Sequence, residues 1–342
     1  MRGLRVGSIG MITPAGLGAK ASCAALRAGI NVFQELPIPN PLTEPLFGAF
    51  VPYFPQNPFS RICDLLTNAV EECLRGSRHQ RDEQVALLVG VQEANRPDYS
   101  RRIERKLIEA VLGNLKISFR PKVSKVFTSG RASVLIALLE ARYLLESGRV
   151  TSCIVAGVDS LINEDCVAWL YRNGRLRLEA NLDGLFPGEG AGAIEITRAN
   201  EATTTKGDVI VIGVGQATES ASIVSGEPNL ADGLTSAVKT AVAEGAMSIG
   251  DVDFRISDAT GEEYYFRETA NALIRLLRVH KEGFPLWHYA DSIGDIGAAS
   301  GAVTLGIAAM ALRKGYAPGK TVICHSSSDF GQRAAALVCA AN

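Results

Sequence analysis

Histidine is scarce in this chain, 4 residues of 342, and the 7 cysteines stand at 23, 63, 73, 153, 166, 324 and 339. No two of them have CxxC spacing, which argues against a zinc site or a disulfide framework and for buried free thiols. No metal is expected. Aromatic residues are few, at 6%, and charge is nearly balanced, with 35 lysines and arginines against 36 aspartates and glutamates. A net charge of −1 gives no field that would draw nucleic acid or an anionic membrane. No apolar run is long enough to span a bilayer, and the opening MRGLRVGSIG is too glycine-rich for the apolar stretch of a signal peptide. The expectation is a cytoplasmic protein with neither nucleic-acid nor membrane partners. Nucleotide loops are missing too. The GxG at 213–215 lacks the following xxG, and the glycine-rich segment 183–192 leads into a strand instead of a helix with a lysine. No cofactor is expected.

Apolar residues and glycine fill the chain instead: 47% is hydrophobic and 34 residues are glycine, the composition of an α/β protein with a large core. Residues 122–160 organise it, reading as strand, turn, long helix, turn, strand. Val123, Val126 and Phe127 are β-formers, and Thr128, Ser129 and Gly130 make a turn. From Arg131 to 146 the helix is apolar on nearly every side, with Val134, Leu135, Ile136, Leu138, Leu139, Leu144 and Leu145, so it is buried all round. Ser147 and Gly148 end it, and 153–157 follows as a buried strand. The start of such a helix is a natural seat for a nucleophile, because orphan N–H groups and the helix dipole favour an anion. Here the first helical residue is Arg131.

The same unit recurs near the end, where 297–301 opens the apolar helix 302–312 and 321–325 is the next buried strand. Duplication of such a unit implies two sheets with the two helices sandwiched between them. The polar, threonine-rich 197–207 marks the boundary, giving halves 1–205 and 206–342. Other expected strands are 4–12, 85–90, 209–215 and 254–258; other expected helices are 20–28, 61–75, 101–115, 234–244 and 267–279. Residues 35–60, rich in proline and carrying Phe47, Phe50, Tyr53, Phe54 and Phe59, read as a covering layer. Helix 101–115 has a basic face of Arg101, Arg102, Arg105 and Lys106, a solvated surface first and a docking patch for an acidic partner second.

Six segments in order, GMITPAGLG with ALRAG, SGRVTSCIVAGVDS, DGLFPGEGAGAIEI, DATG, SIGDIGAASGAV and DFGQRAAALV, resemble the β-ketoacyl synthases, thiolase-fold condensing enzymes, over essentially the full length. The resemblance implies an α/β, five-layered αβαβα sandwich of two duplicated halves, dimerising through the strand before the central helix. A synthase needs a cysteine thiolate to take the acyl chain and two histidines to stabilise the oxyanion and promote decarboxylation. The resemblance places the nucleophile position at Arg131, the histidine positions at Thr260 and Asp295, the lysine position at Ala290 and the pantetheine threonines at Glu262 and Tyr264. Setting Thr128-Ser129-Gly130 in register instead would put Phe127 at the nucleophile. Neither choice keeps the chemistry, since arginine is a permanent cation and a serine protease loses about 10⁶ in kcat with its nucleophile alone. His79, His280 and His325 read as structural, and His288 is placed near the former pocket with Phe330. The resemblance sets Arg131 and Asp295 facing each other across the former active site, and a buried arginine needs a carboxylate, so the two are expected to pair, with Glu262 or Asp291 as further partners.

Two functional readings follow. The first is an inactive synthase-like protein that works by binding another protein. It would be a partner subunit of an active synthase, as chain-length-determining subunits are, or an adaptor or chaperone, as degenerate synthase-like proteins are for effectors of type VI secretion systems. The second is an acyl-CoA- or acyl-carrier-binding protein, or an acyltransferase with altered chemistry in the same pocket. Tyr264 and Tyr265 add bulk against the second where a pantetheine arm would enter.

Overall fold

β-branched runs and alanine- and leucine-rich stretches alternate along the chain, and each becomes one element. A computed structural model describes residues 3–39, 44–52, 54–55, 57–77, 84–115, 121–200 and 204–341. The first half runs β1 (Leu4–Ile12), α1 (Ala19–Arg27), β2 (Gln34–Glu35), β3 (Phe47–Gly48), α2 (Pro58–Gly76), β4 (Val85–Gly90), α3 (Arg101–Asn114), β5 (Lys125–Phe127), α4 (Ser133–Glu146), β6 (Ser152–Ser160), α5 (Glu164–Arg172) and β7 (Glu189–Arg198). The second runs β8 (Val209–Thr218), α6 (Asp232–Glu244), β9 (Phe254–Ser257), α7 (Glu263–Leu276), β10 (Leu286–Trp287), α8 (Ala290–Ile293), α9 (Ser300–Lys314), β11 (Thr321–Ser327) and β12 (Gln332–Ala340).

Each half repeats one strand order. β5-β4-β6-β7-β1 in the first is matched by β10-β9-β11-β12-β8 in the second. In both, the three outer strands are parallel and the two inner ones antiparallel. The two sheet layers expected from the duplication are joined to each other. β1 and β8 hydrogen-bond edge to edge, Leu4, Arg5 and Val6 opposite Val211, Ile210 and Val209, so ten strands form one continuous sheet.

Period-two alternation then sorts the side chains into layers. Ala86 and Leu88 of β4 join α4 and α9 in the central core, while Val85, Leu87 and Val89 face α2 and α3. In the second half Ala334, Ala336 and Val338 of β12 face the same central helices, and Ala335 and Leu337 face the α6 side. The order is therefore helix, sheet, helix, sheet, helix, with α4 and α9 in the middle. Helix α6 lies directly on β8, where a Cβ on Gly215 would stand 2.0 Å from the Ala237 carbonyl oxygen.

Some boundaries differ from expectation. Helix α2 begins at Pro58, because the Asn57 side chain accepts from the Ser60 N–H at 3.1 Å and proline suits the first turn. A 3₁₀ turn at 130–132 precedes α4, and β7 begins at Glu189 inside the segment read as a turn, paired residue by residue with β6. Helix α5 was not anticipated; Asn163 caps it, with Glu164 and Asp165 in its first turn. In the covering layer Leu36 and Leu46 pack on Leu161, Cys166 and Leu170, while Tyr53 lies outside the described residues. Arg101, Arg102, Arg105 and Lys106 are exposed, and Arg102 lies over the Phe59 ring at 4.4 Å. Among the described residues no helix is long and apolar enough to cross a membrane.

Candidate functional site

Two equivalent helix starts meet at the centre of the molecule. Gly130 has φ +53°, and a Cβ on it would stand 2.1 Å from the Glu93 carboxyl carbon; glycine is required on both counts. Gly297 repeats this before α9, with φ +53° and Asp159 Oδ2 2.1 Å from where its Cβ would be. The next residue is Ala298 at the second start and Arg131 at the first.

Arg131 is 3% exposed, and three aspartates surround it. Its Nη2 donates to Asp329 Oδ1 at 2.7 Å and its Nη1 to Asp295 Oδ2 at 3.3 Å, while Nε lies 3.7 Å from Asp258 Oδ2. The guanidinium carbon sits 4.2 Å from the centroid of the Tyr265 ring, whose hydroxyl donates to Asp329 at 2.5 Å. A second buried arginine completes the cluster. Arg175 donates through Nε and Nη2 to Glu262 at 2.7 and 2.9 Å, and through Nη1 and Nη2 to Asp329 at 2.7 and 3.1 Å. Thr260 donates its hydroxyl to Glu262 at 3.0 Å. Paired forks of this kind make two buried cations tolerable.

The helix end itself is occupied by protein atoms. Ala132 N–H donates to Ser328 Oγ at 3.1 Å and Ser129 N–H to Ser133 Oγ at 2.8 Å, which takes up donors that could otherwise hold an anion. Six of the seven thiols are buried and Cys339 is half-buried. Burial pushes all seven cysteines up, Cys23 and Cys63 to about 11, Cys73 and Cys153 to about 12. Burial, then the charge of Arg255, presses buried His325 down to about 3, so it stays neutral.

Arg131, Thr260, Glu262 and Asp295 thus stand together. Glu262 serves Arg175 rather than Arg131. Tyr264 is one step removed, accepting from Arg333 Nη2 at 3.0 Å while donating to the Ala221 carbonyl at 2.6 Å. Phe330 stacks on Trp169 at 6.2 Å, and Trp169 in turn lies 5.3 Å from the Arg175 guanidinium. His288 and Asp291 are elsewhere: they face each other at 3.6 Å, and the Asp291 side chain is 66% exposed. Asp291 is therefore no partner of Arg131. Ala290 opens α8 and is buried. His280 is exposed and His79 lies outside the described residues.

No family model matches the chain, and no curated protein matches it in sequence. Solved structures do match. A chain of a type II polyketide synthase assembly, an acyl-carrier protein in complex with its ketosynthase bound to the hexaketide, gives a TM-score of 0.82 at 13% identity, covering 99% of this chain and 100% of that one. The ishigamide ketosynthase/chain length factor gives 0.79 at 18% identity, covering 100% of both. A ketosynthase in complex with its chain length factor from Xenorhabdus doucetiae gives 0.72 at 14% identity, covering 99% of this chain and 98% of that one. This is the ketosynthase fold.

In this ketosynthase fold the cluster sits where the parallel strands end. Glu93 follows β4, Asp159 closes β6, Asp258 follows β9 and Asp329 follows β11. Ligand sites in α/β sheets gather at the carboxyl ends of strands. A charged residue just past a buried apolar run was thus the sequence signal for Glu93, but it marks neither Asp258, which follows FRIS, nor Asp329, which follows HSSS; sequence reasoning had placed none of the three in the site. Arg175, in the loop after α5, carried no such mark.

Carboxyls outnumber guanidiniums here, and that has a pH consequence. Burial, then the charge of Asp329, pushes Glu93 up to about 7, and burial pushes Asp258 up to about 7 against the pull of Arg131. Asp329 goes the other way, held well below the carboxylate range by Arg175 and Arg131 although burial opposes it. Glu93 and Asp258 bind their protons more tightly folded than unfolded, so the stability they lend is complete below the ordinary carboxylate range and lost as pH rises through about 7. His325 works in the opposite sense, losing stability as pH falls below its unfolded value toward about 3. From about pH 5 to 7 the two carboxyls together outweigh His325, so the unfolding free energy read from urea titrations should fall by up to about 1.4 kcal/mol per pH unit for each net proton released on unfolding, and the fall should level off above about pH 8. Glu93→Gln should flatten that fall; an unchanged slope would show that Glu93 is already ionised at neutral pH.

Proposed function

We propose that this chain is a ketosynthase-fold scaffold that performs no condensation and acts by binding other proteins. The observation that carries this reading is Arg131. A permanent cation, held by Asp329 and Asp295, stands at the start of the central helix, and a guanidinium cannot attack a thioester. Among the described residues its hydrogen-bonding partners are carboxylates, with neither thiol nor imidazole.

The similar structures include ketosynthases in complex with a chain length factor or an acyl-carrier protein, which supports a protein partner for this chain. A non-condensing subunit beside an active synthase fits that pattern. An adaptor or chaperone fits the same features, including one for an effector of a type VI secretion system. Two surfaces suit such a partner. β5 ends the sheet, so a second copy or a synthase subunit could extend it there. The exposed Arg101, Arg105 and Lys106 of α3 would meet acidic groups.

Incubation with acyl-CoA, acyl-carrier protein and malonyl carrier, followed by intact-mass spectrometry and carbon dioxide assay, tests the first half of the reading. The expected mass is unchanged and no gas is released; an acyl adduct on any residue overturns it. Pull-down with the products of neighbouring genes tests the second half. A stable complex is expected, and light scattering of the free chain reads whether it also pairs with itself.

A further inference from the structure

Away from the arginine cluster, α1, the C-terminal end of α9 and the edge strand β10 enclose a cavity of about 380 Å³. It reaches inward to Ile256, a fully buried residue of β9, and its sides are Leu26, Ile307, Trp287, Tyr289 and Tyr316. Arg27 and Asp291 are exposed and His288 is half-buried, while the hydroxyl of the wall residue Tyr289 is buried. Arg27 is the distinctive feature. Its guanidinium carbon lies 4.2 Å from the centroid of the Tyr316 ring, and that ring is stacked on Trp287 at 6.4 Å with planes 20° apart. No carboxylate pairs with Arg27 among the described residues, whereas Asp291 is engaged by His288 at 3.6 Å.

An oriented cation lacking a counter-charge, beside an aromatic-walled apolar cavity of small-molecule size, has a definite complement. We propose that this cavity binds a small amphipathic carboxylate, an aromatic or medium-chain acid. The apolar body lies against Trp287 and Ile256, and the carboxylate accepts from the Arg27 guanidinium. The site is separate from the Arg131 cluster, so it stands or falls independently of the scaffold reading.

Trp287 is a built-in reporter, since the chain has 2 tryptophans and Trp169→Phe leaves it alone. Octanoate and phenylpropionate, with octanol as the uncharged control, are titrated against this variant while Trp287 emission is followed. The acids should give a saturable change. Arg27→Gln should weaken the acids about tenfold and leave octanol unaltered, as loss of one charge-assisted contact requires. Ile307→Phe, which fills the cavity, should abolish binding of acid and alcohol alike while circular dichroism shows the chain still folded. The proposal is overturned if no acid saturates at millimolar concentration, or if Arg27→Gln binds octanoate as the parent does. Should Ile307→Phe fail to fold, the Arg27→Gln comparison decides alone.

Discussion

Arg131→Ala is expected to lower the unfolding free energy by about 3–5 kcal/mol, the range found when one member of a buried ion cluster is removed. The loss comes less from the missing attraction than from what stays behind. Asp295 and Asp258 lose their guanidinium and are both under 6% exposed, so water cannot replace it. Asp329 keeps Arg175, and Tyr265 loses the cation over its ring. Chemical denaturation at neutral pH measures the effect. The double variant Arg131→Met, Asp295→Asn should recover part of the loss, because one orphaned charge is then gone and an apolar chain fills the space. A loss below about 1 kcal/mol would be the behaviour of a solvated surface pair and would contradict the burial of the cluster.

Gly215→Ala should cost about 3 kcal/mol, the upper end for overpacking. The new methyl would meet the Ala237 carbonyl oxygen at 2.0 Å and the Thr240 side chain at 2.9 Å, and a helix backbone cannot yield as a side-chain tip does. Helix α6 has to lift from β8, disturbing the layer that holds Leu234, Ala237 and Ala241. Gly113→Ala is the control. Among the described residues nothing lies within 4 Å of its added carbon, and within α3 the exchange should stabilise by up to about 1 kcal/mol. Equal melting temperatures for the two variants would contradict the close seating of α6.

The architecture was legible because burial writes itself into composition. The helix after Arg131 is apolar on nearly all sides, and only a layer between two sheets buries a helix that way, which is where α4 lies. The join between the sheets was not legible. Leu4–Val6 and Val209–Val211 are ordinary strand residues, and nothing in an apolar run says which edge it will meet. For the site, the family resemblance set Arg131 opposite Asp295, and the rule that a buried cation needs a carboxylate made that a pairing. The same rule could not choose among carboxylates, so Asp329 was missed and Asp291 was named in its place. Partner choice depends on loop paths such as that after α5, which carries Arg175, and sequence spacing does not encode them.

The seam at β1 also bears on how the protein is made. β1 is made well before its two neighbours in the sheet, β7 and β8, which begin at Glu189 and Val209. It therefore waits, unpaired on both edges, until those later segments are translated. A strand so exposed is open to wrong partners, and its pairings are all of long range, the kind that close slowly. Expression at low temperature or with a holdase chaperone should accordingly raise the soluble yield, by shielding the nine residues of β1.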